Sequence, residues 1–131
     1  MIEVNNLVFE KIDENRVRVI IQETLKLEGK EDDKEVSVAI VPKEEIRKIN
    51  NKYRKIDRAT DVLSFEGEDN ILGEIIICAE ETKKNGDIFE DELKRVLIHG
   101  TLHLLGYDHE KDCGEMIKKQ EQYFSLIKIN Y

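Results

Sequence analysis

The chain has 131 residues, 40% of them hydrophobic and 38% charged, with a formal net charge of −8 and no tryptophan. That length supports one domain with one core. No run of about 18 apolar residues offers a membrane span, the N-terminus lacks a secretory leader's basic start and apolar stretch, and two cysteines make no disulfide framework. The expectation is a soluble, cytoplasmic protein with Cys78 as a buried free thiol.

Ile2, Val4, Leu7, Val8 and Phe9 predict a first strand across residues 1–9. Asp13 is suited to cap a helix in which Val17, Ile20, Ile21, Thr24 and Leu25 recur at helical spacing, with Gly29 as its stop. Glu31, Asp32 and Asp33 read as an acidic turn, and Val36, Val38 and Ile40 as a second strand ending at Pro42. Pro42 followed by Lys43, Glu44 and Glu45 opens a second helix, with Ile46, Ile49 and Tyr53 on one face. A polar loop over residues 54–60 leads to a strand at 62–65, a turn at 66–70 and a strand at 71–78, the two strands forming a hairpin. A short helix from Ala79 ends near Gly86.

Leu93, Val96, Leu97, Gly100, Thr101 and Leu104 then mark one face of a longer helix, and Ile98, Leu102 and Leu105 fill much of the rest. A helix apolar on most sides is buried. A last helix is expected over residues 112–127, with Met116, Tyr123, Phe124 and Ile127 inward. The order predicts an α/β (α+β) domain: about four strands in one mixed sheet, covered by helices, with the apolar helix in the middle.

The acidic balance argues against nucleic acid, but the charge is uneven. Residues 43–58 hold seven cations against three carboxylates, a net +4. Such a stretch is either a basic face on an acidic body or a solvated helix with scattered charge.

The three histidines of the chain fall in one run, His99 to His109, with the pattern H-x-x-x-H-x-x-G-x-x-H. His99 and His103 are one helical turn apart on one face, and Gly106 can end the helix and return the chain towards them with His109. Burying two imidazoles on an apolar helix without partners is costly, so the pattern points to a transition-metal site. Zinc suits imidazole donors best; nickel, copper and iron also accept them. Three histidines and an open position make a catalytic site, whereas Cys113 as a fourth ligand would make a closed, structural one. Asp108 is either an acceptor that orients an imidazole or a turn residue. The spacing matches the long zinc signature of metzincin proteases except at Gly100, which stands where those enzymes carry a glutamate base. A glycine moves no protons, and it is expected to leave room beside the metal for a bulky substrate.

The run from His99 to His109 resembles the signature of the YbeY family of rRNA maturation endoribonucleases. The stretch from Asn50 to Phe65, ending Thr60-Asp61-Val62-Leu63-Ser64-Phe65, is similar to that family's second signature, and Leu72-Gly73-Glu74-Ile75-Ile76-Ile77-Cys78 follows in place. The resemblance implies a metal-dependent endoribonuclease preferring single strands. It implies action in maturing small-subunit ribosomal RNA and in ribosome quality control. Its implied partners are ribosomal RNA and the ribosome or small-subunit proteins. It also implies zinc on His99, His103 and His109, and catalytic roles for Arg54, His99 and His103. Arg54 suits that role because a guanidinium can grip a phosphate with two hydrogen bonds. Lys52, Lys55 and Arg58 are placed to hold flanking phosphates. The family's proline before the threonine is Ala59 here. The residues themselves leave two rivals: a metal-dependent hydrolase of a non-nucleic substrate, and a ribosome-binding module with a structural metal.

Overall fold

The computed structural model describes residues 1–30 and 34–128. Its strands are β1 (Ile2–Asn6), β2 (Glu35–Ile40), β3 (Val62–Glu66) and β4 (Ile71–Ile77), and its helices are α1 (Glu14–Leu27), α2 (Lys43–Arg54), α3 (Ala79–Thr82), α4 (Phe89–Leu104) and α5 (Glu115–Leu126). The expected acidic turn lies outside the described residues.

One mixed sheet runs in the order β1-β2-β4-β3. β1, β2 and β4 are parallel, and β3 returns antiparallel along β4 as the expected hairpin partner. Alternation along the strands then creates two apolar faces. Val36, Val38, Ile40, Ile75 and Ile77 face a core shared with α1, α4 and α5. Leu63, Ile76 and Cys78 face a smaller cluster closed by Ile46 of α2. Cys78 is buried and Cys113 exposed, both as free thiols.

The ends of the elements follow local chemistry. The Asp13 side chain accepts from the Arg16 N–H at 3.1 Å and caps α1. β1 stops earlier than its hydrophobic pattern predicts, because the Asn6 side chain accepts from the Val8 N–H and donates to the Glu10 carbonyl, turning the chain. Leu7 and Phe9 are consequently exposed. The last helix begins at Glu115, later than expected: the Asp112 carboxylate takes the backbone N–H groups of Gly114 and Met116 in a turn. Phe124 packs on the core as expected but is only half-buried, with Arg95 stacked 4.0 Å from its ring centroid.

α4 occupies the centre, as its apolar circumference predicts, packed on α1, α5, β3 and β4. Two glycines permit this. A Cβ on Gly100 would stand 3.0 Å from Ile75 and 3.1 Å from Ser64. A Cβ on Gly73 would come within 2.4 Å of both the Leu104 side chain and the Phe65 carbonyl oxygen. The space beside Gly100 is therefore filled by the sheet, and it is not the expected opening for a substrate.

Candidate metal centre

The run that carries the histidines divides between the end of α4 and the turn after it. α4 closes with paired hydrogen bonds, Gly106 N–H to the His103 carbonyl at 3.0 Å and Tyr107 N–H to the Leu102 carbonyl at 3.1 Å. This glycine-terminated closure needs a left-handed residue, and Gly106 supplies it with φ of 100°. The chain reverses and brings His109 back against the helix end.

The ligand atoms of His99, His103 and His109 all lie within 4.8 Å of one another. His109 Nδ1 and His103 Nε2 approach to 3.2 Å. Two nitrogens bound to one tetrahedral zinc at 2.0–2.1 Å are separated by about 3.3–3.4 Å, so this pair already spans one edge of such a site. His99 Nδ1 donates to the Gln120 side-chain oxygen at 2.7 Å, which fixes the ring and leaves Nε2 as its available donor atom. Burial holds both His99 and His103 below the ordinary imidazole pKa. Neutral imidazole is the form that binds a metal. The donor set therefore fits a transition-metal ion, and among the described residues no carboxylate or thiolate joins the three imidazoles. Cys113 does not join the cluster.

Asp108 acts as a turn residue: its carboxylate accepts from the Glu110 N–H at 3.0 Å, and its carbonyl takes the N–H groups of Lys111 and Asp112. The acceptor for an imidazole comes instead from Gln120 on α5, 21 residues beyond His99. The helical pattern around Gln120 carries no trace of that role. A second hidden support is Glu28, where α1 ends. Its carboxylate receives the Tyr107 hydroxyl at 2.8 Å, the Lys119 ammonium at 2.9 Å and the Tyr123 hydroxyl, tying α1, the histidine turn and α5 together. Burial pushes the Glu28 pKa up, but these three donors outweigh it and leave the group lowered.

The histidines line a cleft of about 940 Å³ whose floor is β3, the edge strand. Arg54, the last residue of α2, lines the same cleft. Lys55 then takes a left-handed conformation and turns the chain sharply away. The buried Asn50 side chain donates to the Arg58 carbonyl at 2.9 Å and fastens the following loop to the helix. Arg47 is committed to Asp57 at 2.9 Å, whereas Lys52, Arg54, Lys55 and Arg58 are exposed. Tyr53 is 61% exposed, its ring set edge-on to Phe65, and both line the cleft.

A mixed open sheet with three imidazoles converging beside its edge strand defines an α/β protein built around a candidate transition-metal centre. The chain belongs to the YbeY family: the family model described as Endoribonuclease YbeY matches residues 3–128. The Endoribonuclease YbeY of Staphylococcus carnosus is 41% identical, over 98% of this chain and 90% of its own. That of Sulfurimonas denitrificans is 46% identical, over 72% of this chain and 71% of its own. The solution structure of TM1509 from Thermotoga maritima matches the fold with a TM-score of 0.65 at 34% identity, over 95% of this chain and 87% of that one.

Proposed function

We propose that this protein is a zinc-dependent endoribonuclease that cuts single-stranded RNA, acting on small-subunit ribosomal RNA during its maturation and in ribosome quality control. Its partners on this reading are ribosomal RNA and the ribosome or small-subunit proteins. Two free cysteines fit a reducing compartment, hence the cytoplasm. No helix among the described residues is long and apolar enough to cross a membrane.

The observation that carries the reading is one cleft holding both the three-imidazole cluster and the Arg54 guanidinium. His99, His103 and His109 would hold the ion, with Gln120 orienting His99. When bound, zinc supplies Lewis acidity towards a phosphodiester oxygen and lowers the pKa of water. Arg54 grips the scissile phosphate and offsets the charge that grows on it. Ser64 donates to the Gly100 carbonyl at 3.2 Å and holds the histidine helix against the floor. Gly100 offers no proton acceptor where a metzincin carries its glutamate, which disfavours peptide hydrolysis by that route.

The purified protein is expected to contain about one zinc per chain and to cut single-stranded RNA. His103→Ala should lower cleavage at least about 10²-fold while circular dichroism and the thermal melt persist, because His103 is only half-buried. A zinc-replete, folded protein inert on every RNA would overturn the proposal. Unfolding on chelation would instead mark the metal as structural.

A further inference from the structure

We infer that Tyr53 and Phe65 form a stacking platform for one unpaired nucleobase, next to the residue that grips its phosphate. The inference rests on the reading of the cleft as an RNA site and adds to it a base subsite where the end of α2 lines that cleft.

Tyr53 is the last apolar residue of α2, after buried Ile46 and half-buried Ile49, yet its ring stays 61% exposed. Phe65 supports it, with ring centroids 5.3 Å apart at 61°. An edge-on contact stiffens the tyrosine and leaves ring surface free for a third planar group. The Lys52 ammonium lies 5.2 Å from the Tyr53 centroid, and Arg54 follows directly in sequence. An exposed aromatic ring flanked in sequence by two cations matches the repeat of a nucleic acid strand, in which a base alternates with a phosphate. It does not suit a duplex, whose bases are occupied by one another. Among the described residues β3 pairs only with β4, and as an edge strand lining the cleft it offers a course along which a single strand can cross. Isolated exposed aromatics are ordinary on protein surfaces. This one shares a cleft with Arg54 and with the three imidazoles that an RNA strand would meet.

The chain has no tryptophan, so Tyr53→Trp introduces a single indole reporter. The probe is a 2′-O-methylated oligouridylate of about ten residues, compared with a strand of equal charge lacking its bases. The indole should be quenched by the first and not by the second. Tyr53→Ala should weaken binding of the oligouridylate about 5- to 150-fold, Tyr53→Phe should keep it, and neither change should alter affinity for the baseless strand. Equal affinity of wild type and Tyr53→Ala for the oligouridylate, while RNA is still bound and cut, would overturn the platform and leave the nuclease reading standing. Failure of the wild type to bind or cut any RNA would remove both. If Tyr53→Ala leaves RNA binding intact but dissolves a dimer of the chain, the ring belongs to self-association and the inference fails.

Discussion

Glu28 is the residue on which the histidine turn leans. Its carboxylate collects hydrogen bonds from Tyr107, Lys119 and Tyr123. Its pKa in the native state lies below the ordinary 4.5 despite burial. A depressed carboxylate stabilises the fold above its unfolded pKa, and that contribution fades as pH falls through the native value. Glu28→Gln should therefore be destabilised most near neutrality, with the gap to wild type narrowing in acid. Urea unfolding across a pH series reads this directly, and a constant gap would contradict the assignment. The residues that hold the histidines were the least visible in the sequence. Gln120 lies 21 positions from His99, and Glu28 lies 79 from Tyr107. Only the packing of α1 and α5 on α4 brings them together. The histidines themselves were legible because helical periodicity and one glycine suffice to converge them.

Among the elements, α4 and the β3–β4 hairpin set the precision of the site. Gly73 sits where the Phe65 carbonyl and the Leu104 side chain leave no room for a methyl group. Gly73→Ala should cost about 1–3 kcal/mol, seen as a lower urea midpoint with an unchanged slope. A neutral result would mean that the hairpin and α4 can part freely. The hairpin, the helix order and the buried helix were all readable from periodicity. The length of β1 was not, since the side chain of Asn6 ends it before the apolar pattern does. The shared face of Ile46, Ile49 and Tyr53 was readable but not how far its cover extends: Tyr53 lies against a neighbouring ring at the cleft, beyond the cover that Ile46 receives from the sheet. Gly100 serves close packing of helix on sheet, a role that spacing relative to the histidines does not disclose.

At the scale of the molecule, charge is partitioned. The chain carries −8 overall, yet Lys52, Arg54, Lys55 and Arg58 stand exposed where α2 ends. An approaching polyanion is repelled by most of the surface and accepted on this face. If all four cations meet phosphates, log K for a single strand should fall with log salt at a slope of about −3. Filter binding from low to physiological salt measures it, and a flat response would exclude this face as the RNA path. The sequence exposed the net +4 of residues 43–58 but could not choose between a binding face and scattered charge. Arg47, tied to Asp57, shows that part of the excess is neutralised internally.

All three imidazoles come from eleven consecutive residues, one helix end and the turn that follows it. Closing so short a loop costs little entropy, so the denatured polypeptide can also chelate. An ion captured by both states shifts the folding equilibrium less than its tightness for the native site alone would imply. Saturating the protein with zinc should hence raise its melting temperature only modestly, and a nascent chain that has reached His109 already carries every imidazole with which an ion could be caught before the domain is complete.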